Sequence, residues 1–233
     1  NSTTWENWIY LVNTPPEINS TAVYPSEGPW GGVFKYSTYI WDLQYDNVTC
    51  ELYVSTDNGT SYQLRNSTVI IHGRDWCNLT VSNFTCSDIN EDEHDINYFY
   101  FKIYDGTNTN HTANMTGPNI TADSASITYI FGNDTSVNRD NSEENNTAVL
   151  ILLVNDTTKN HTVSDADVTV WVTYDGSTFD YGTTNQTNST GYANIYFNPG
   201  CDSPLYGIGP QTWYGGITDS CYENVNTSEN YTI

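Results

Sequence analysis

Short runs of alternating apolar and polar residues recur along most of this 233-residue chain, and turn residues separate them at short intervals. Over Val33 to Trp41, one face carries Phe34, Tyr36, Thr38 and Ile40; over Cys50 to Val54, it carries Cys50, Leu52 and Val54. Tyr98 to Tyr104 sets Phe99, Phe101 and Ile103 against Tyr98, Tyr100 and Lys102. Val168 to Tyr174 sets Val168, Val170 and Val172 against Thr169, Trp171 and Thr173, and Ala193, Ile195 and Phe197 repeat the pattern. A side-chain period of two marks a half-buried strand, and no stretch shows a convincing helical period. Asp57-Asn58-Gly59, Tyr104-Asp105-Gly106, Asp175-Gly176 and Thr190-Gly191 supply the reversals between strands, as an antiparallel sandwich requires. The chain is therefore expected to be all-β.

The length allows two domains of about 100 to 120 residues each. A seam is expected near Gly117-Pro118, giving an N-terminal arm over residues 1–14, a first module over 15–120 and a second over 121–233. The arm holds Trp5, Trp8, Ile9, Tyr10, Leu11 and Val12, too apolar to stay free in water, so it is expected to pair with a sheet of this chain or of a neighbouring copy.

Eighteen Asn-x-Ser/Thr acceptor motifs for N-linked glycans begin at Asn1, Asn19, Asn47, Asn58, Asn66, Asn78, Asn83, Asn110, Asn114, Asn119, Asn133, Asn145, Asn155, Asn160, Asn185, Asn188, Asn226 and Asn230. With 29 Asn and 52 Ser+Thr among 233 residues, chance placement gives 29 × 52/233, or roughly 6. All but Asn226 have Thr in the third position, a bias that fits selection by a glycan-transferring enzyme. N-linked glycans at most of these sites are the expected decoration, and they place the chain outside the cytosol. No cofactor is otherwise expected.

Six Lys+Arg against 28 Asp+Glu give a net charge of −22, which excludes a nucleic-acid partner held through phosphates. The longest apolar run, Ala148 to Val154, is too short to cross a membrane and reads as a buried strand. With no basic and apolar leader at its start, the sequence reads as a mature product or a segment of a longer precursor. Five cysteines without a C-x-x-C pair read as disulfide formers, not as metal thiolates. Cys201 and Cys221, alone in the C-terminal half, are expected to pair across a Gly- and Pro-containing loop. Among Cys50, Cys77 and Cys86 two pair and one is left over, with no choice between them from the sequence.

The stretch with Pro15-Pro16, Val23-Tyr24-Pro25, Gly28, Phe34-Lys35-Tyr36, Tyr98 to Gly106 and Gly117-Pro118 resembles the immunoglobulin-like modules strung along archaeal cell-surface glycoproteins of the S-layer or filament type. The second half, with Ala166-Asp167-Val168-Thr169-Val170, Thr190-Gly191-Tyr192-Ala193 and Gly209 to Gly216, resembles another such module of prokaryotic surface proteins. It has Ser164-Asp165 where those modules usually have Gly or Pro-Gly. The resemblance implies two consecutive immunoglobulin-like β-sandwiches in an exported spacer or lattice protein, and it brings no catalytic residues.

No enzymatic constellation stands out. His111 and His161 occupy the middle of acceptor motifs, His72 and His94 have no triad or metal spacing around them, and no G-x-S-x-G, H-E-x-x-H or phosphate loop is present. Ca2+ is the metal that the oxygen-rich segments could serve. Asp88 to Asp95 begins with the spacing of an EF-hand loop but has Glu93 at the turn glycine and Phe99 at the bidentate glutamate, so it reads as a solvated acidic loop. Asp165 and Asp167 form a weaker set. Trp30, Trp76, Trp213 and Tyr214, in Gly-rich or polar segments, could stack on sugars in an adhesin, a role that calls for stacked aromatics in a groove.

The expected function is a structural subunit of an extracellular, heavily N-glycosylated filament built head to tail from copies of this chain. Strand donation by the arm would join them, with an S-layer subunit and an adhesin stalk as alternatives. The motif-poor stretch Ser189 to Val225 is expected to face a neighbouring subunit, with Trp213 and Tyr214 joining Trp5, Trp8, Ile9, Tyr10, Leu11 and Val12 as contacts.

Overall fold

The computed structural model describes residues 12–90, 95–139 and 147–233. The chain divides into two compact units, Asn1–Thr121 and Ala122–Ile233, one residue beyond the expected seam. Each is an immunoglobulin-like antiparallel β-sandwich, and no α-helix occurs among the described residues.

Module 1 contains β1 (Glu17–Tyr24), β2 (Glu27–Pro29), β3 (Phe34–Trp41), β4 (Val48–Ser55), β5 (Gln63–Ile70), β6 (Arg74–Val81), β7 (Tyr98–Tyr104), β8 (Thr109–His111), β9 (Met115–Thr116) and β10 (Asn119–Thr121). One sheet runs β1-β3-β6 and the other β5-β4-β7-β8, with β9 also on β7 and a parallel pair formed by β2 and β10. Alternation does what period two requires. Phe34, Tyr36, Thr38 and Ile40 of β3 and Val48, Cys50, Leu52 and Val54 of β4 point into one dry layer, met by Phe99, Phe101 and Ile103 of β7 and Cys77, Leu79 and Val81 of β6. Tyr36 meets Phe99 edge to face at 5.0 Å, the arrangement that ring quadrupoles favour. Burial pushes the Tyr36 hydroxyl pKa above its ordinary value.

Cys50 and Cys77 resolve one choice left open by the sequence: they form a disulfide that joins the two sheets across this core, with Cα atoms 6.5 Å apart. Closing its 27-residue separation stabilises the module by about 3 to 4 kcal/mol in the chain-entropy model.

Module 2 contains β11 (Ala125–Phe131), β12 (Ala148–Asp156), β13 (His161–Thr162), β14 (Asp167–Val172), β15 (Thr183–Gln186), β16 (Tyr192–Phe197), β17 (Thr212–Ile217) and β18 (Tyr231–Thr232). β12 is the centre of one sheet, flanked by β11 and by β13 and β16; the other runs β15-β14-β17-β18. The apolar run that starts at Ala148 alternates after all, with Ala148, Leu150, Leu152 and Val154 buried and the residues between them half-buried.

Trp213 of β17 is the largest buried side chain here, in contact with Tyr129 and Tyr231 at centroid distances of 5.9 and 5.0 Å. Beside it the Gly215-Gly216 pair has a steric reason. A Cβ at Gly215 would lie 2.2 Å from Leu152 Cδ1 of the facing sheet, and one at Gly216 would lie 2.2 Å from Asn226 Oδ1. Glycine lets the backbone approach on both faces.

Candidate interaction surfaces

A glycan needs its acceptor amide outside, and the fold places the described acceptors there. Thirteen are exposed (Asn19, Asn47, Asn58, Asn78, Asn83, Asn114, Asn119, Asn133, Asn160, Asn185, Asn188, Asn226 and Asn230), three are half-buried (Asn66, Asn110 and Asn155), and none is buried. Asn1 and Asn145 lie outside the described residues. By contrast Asn97, which begins no motif, is buried and donates to Asn90 Oδ1 at 2.9 Å and the Pro118 carbonyl at 3.0 Å.

The edges of the sheets are not treated alike. In module 1 four edge strands of the two main sheets carry an acceptor, Asn19 on β1, Asn78 on β6, Asn66 on β5 and Asn110 on β8, and the short β9 has Asn114 just ahead of it. An edge strand presents unpaired main-chain groups to any other chain, and a bulky hydrophilic group on it opposes such pairing. β1 is further broken by a bulge between Asn19 and Thr21, where Ser20 has a φ of 55°. In module 2 only β15 of the edge strands carries one, Asn185; β13 and β18 have Asn160 and Asn230 just ahead of them, and β11 and β16 contain none.

Asn66 and Asn185 occupy corresponding strands of the two modules and are held in the same way. Each Nδ2 donates at 2.8 Å to a main-chain carbonyl of the other sheet, Thr80 or Asn194, and each Oδ1 accepts from the next residue's N–H. Asn110 does likewise with the Pro16 carbonyl, at 3.0 Å, and the His111 N–H.

Module 2 also contains a groove of about 680 Å³. Its walls are residues 134–139 after β11, Phe197 at the end of β16 and Pro199 after it, residues 206–211, and Thr232 and Ile233. Ile208 on its rim is 98% exposed, while Val137, Tyr206 and Ile233 rest on the module's core. The floor is held by paired main-chain bonds between Gln211 and Ile233, at 2.8 and 2.9 Å. Burial, then the hydrogen bond to Asp180, pushes the Tyr206 hydroxyl pKa well above its usual value.

The motif-poor stretch Ser189 to Val225 thus has two explanations. Its strands, β16 and β17, are bare because they build the core, whereas its loop lines the groove. Trp213, expected at a subunit contact, is instead 0% exposed, because position 213 falls on the inward face of β17. Tyr214 falls on the outward face, stacked on Trp171 at 5.0 Å and met edge-on by Phe179 at 4.9 Å. Trp171 and Tyr214 each cover one face of the other. Trp30 packs against the core of module 1, while Trp76 is 46% exposed beside Tyr39. At the other end of β3 from Trp30, the Arg74 guanidinium is sandwiched between the exposed rings of Trp41 and Tyr45, at 3.9 and 3.6 Å.

Trp5, Trp8, Ile9, Tyr10 and Leu11 lie outside the described residues; Val12 is exposed, and its carbonyl accepts from Gln44 Nε2 at 3.4 Å. His94 and half of the acidic stretch 88–95, residues 91–94, also lie outside them. Asp88 already accepts from the Thr85 N–H at 2.8 Å and faces Arg65 at 3.9 Å. His72, His111 and His161 are exposed and separate.

The expected Cys201–Cys221 bridge is not formed. Cys201 keeps an exposed thiol 3.9 Å from the Arg139 carbonyl, whereas Cys221 and Cys86 are both disulfide-bonded. Strand register gives the reason. Cys201 follows Phe197, which pairs with Ala148 at one end of β12; the Cys221 carbonyl accepts from Asp123, close to Ala125, which pairs with Asp156 at the other end. A nine-residue strand separates those ends by about 27 Å, and disulfides need Cα atoms within about 7 Å.

No family model and no curated protein matches the chain. Solved structures align with the chain at low identity. The tetra-tandem repeat in the extending region of a large adhesion protein gives a TM-score of 0.49 at 14% identity, covering 94% of this chain and 49% of that one, so the chain spans about half its length. A marsupial T cell receptor gives 0.35 at 10%, covering 93% and 71%. Trypsin-activated alpha-2-macroglobulin from Escherichia coli gives 0.31 at 9%, covering 93% and 16%. Among the described residues no helix is long and apolar enough to cross a membrane.

Proposed function

We propose that this chain is a structural subunit of an extracellular, N-glycosylated surface filament of the archaeal cell-surface type, joined head to tail by its own apolar arm. The observation that carries this reading is the asymmetry of the edges: module 1 has an acceptor asparagine on β1, β5, β6 and β8, while β11 and β16 of module 2 contain none and end beside a groove of mixed apolar and polar lining. Trp5, Trp8, Ile9, Tyr10, Leu11 and Val12 of one copy supply the apolar strand that such a groove would take up, by addition of a strand to a neighbour. That contact is heterologous and propagates as a fibre. The disulfides favour an oxidising, extracellular setting.

Deletion of residues 1–11 is expected to abolish end-to-end polymers in electron micrographs while circular dichroism still reports two folded sandwiches. Ile208→Asp in the groove is expected to act in the same direction. Polymers of normal length from the truncated chain would refute arm donation. A spacer segment of an adhesin is the second reading, favoured by the exposed Trp41, Tyr45 and Trp76 of module 1; it requires monomers that retain glycan in a glycan-array assay and lose it on Trp76→Ala.

A further inference from the structure

Three carboxylates converge in module 1 from separate parts of the chain. Asp42 directly follows β3, Asp46 lies in the loop before β4, Asp105 directly follows β7, and one oxygen of each lies within 4.8 Å of the others. The β3–β4 loop can close this tightly because residue 73 is glycine. With its φ of +55°, a Cβ there would lie 2.5 Å from Asp42 Cβ and 2.7 Å from the Asp46 carbonyl oxygen.

Clustered surface acids alone indicate nothing, but Asp42 is not on the surface. It is 0% exposed; its Oδ1 accepts from the Asp46 N–H at 2.9 Å, and its Oδ2 is shut off from solvent with no hydrogen-bond partner. A buried carboxylate oxygen in that state is costly unless a positive charge or a donor meets it. A second buried oxygen without a partner belongs to Asn13, whose Nδ2 donates to Asp105 Oδ2 at 3.3 Å.

The protein itself does not supply the positive charge. Among the described residues no ion pair includes Asp42, Asp46 or Asp105. Arg74 comes nearest, yet its Nε donates to the Asp42 main-chain carbonyl at 2.9 Å, and its other bonds go to the Leu43 carbonyl and the Tyr45 hydroxyl. Asp105 is held in place by its own turn: its Oδ1 accepts from the Thr107 and Asn108 N–H groups at 2.7 and 2.5 Å, and its Oδ2 accepts from Asn108 Nδ2 at 3.2 Å.

We infer that Asp42, Asp46 and Asp105, with the Asn13 side-chain carbonyl as a fourth ligand, bind Ca2+. Ca2+–oxygen distances of about 2.3–2.6 Å allow two ligands of one ion to be at most about 5 Å apart, a limit this cluster meets. Four oxygens from three chain segments suit the adaptable shell of Ca2+ better than the strict octahedron of Mg2+. The ion would tie Asn13 to the β3–β4 loop and the β7–β8 turn, fixing where the preceding residues leave the module. The site rests on module 1 alone and stands whether or not the arm joins subunits.

The test uses the full chain at about 0.15 M salt, where screening suppresses loose cation binding to a protein of net charge −22. Tb3+ should bind one equivalent saturably, with luminescence sensitised by the flanking Trp41, Tyr45 and Tyr104, and Ca2+ should displace it. Asp46→Asn and Asp105→Asn should each weaken Tb3+ at least tenfold, while Asp57→Asn, in another turn of the module, should not. Ca2+ should raise the Tm of the unaltered chain and leave that of Asp42→Asn unmoved; if Asp42→Asn does not fold, Asp46→Asn is measured instead. Unsaturable Tb3+ binding, or equal affinity in the Asp46→Asn and Asp105→Asn chains, would overturn the assignment.

Discussion

The two modules share a sandwich plan but differ in how they close. Module 1 is stapled across its sheets by Cys50–Cys77 and carries an acceptor asparagine on the edge strands β1, β5, β6 and β8. Module 2 is organised around the aromatic cluster of Trp213, Tyr129 and Tyr231, leaves β11 and β16 bare, and opens into a groove. One sandwich is finished on its own terms, whereas the other retains an edge and a cleft that something else can use. An acceptor asparagine on an edge strand is a place where a glycan would block pairing, and an edge strand without one has no such block.

Core substitutions test this contrast most severely. Trp213→Ala is expected to cost about 3–5 kcal/mol, because a fully buried indole leaves a cavity. Calorimetry should show the loss in the transition of module 2 alone. Replacing both Cys50 and Cys77 by Ala should instead lower the transition of module 1, by about 3 to 4 kcal/mol. If either change moves both transitions equally, the modules do not unfold as separate units.

Glycan occupancy gives a smaller but more local test. Glycopeptide mass spectrometry should find the exposed acceptors filled, with lower occupancy at half-buried Asn66, Asn110 and Asn155. Uniform occupancy would show that transfer precedes folding, and an empty Asn19 or Asn78 would remove the distinction between the edges.

The weakest expected effect comes from acid. In module 1 the hydroxyls of Ser55 and Ser61, with the Ser61 N–H, hold the Asp57 carboxyl at about 2; in module 2 the N–H groups of Thr178 and Ser177 hold Asp175 at about 2. Both folded values lie below the ordinary 3.8, so the unfolded chain takes up protons first. The stabilisation is complete above about pH 4 and is lost as pH falls towards about 2. Tm measured across that window should fall less steeply in Asp175→Asn for module 2 only; an unchanged slope counts against this turn as a contributor.

Much of the fold was legible because buried strands must alternate. β3, β4, β7, β14 and β16 were readable from their inward residues, and Tyr98–Tyr104 was located to the residue. β1, β5 and β15 were not, since edge strands with few buried positions carry no period. Trp213 was misjudged because a Gly-rich neighbourhood resembles a loop, whereas Gly215 admits Leu152 and lets the strand pack. The proposed Ca2+ ligands escaped notice for a different reason: contiguous acids were searched, but Asp42, Asp46 and Asp105 meet only through the pairing of strands.

Sequence alone determined the all-β character, the two-module plan, the acidic charge and the excess of acceptor motifs, since each is local or additive along the chain. Tertiary structure alone decided which cysteines bond, which motifs sit on edges, where the groove opens and which carboxylates share a site. Those depend on strand register and sheet order, which bring residues far apart in the chain within bonding distance and keep others, such as Cys201 and Cys221, a strand's length apart.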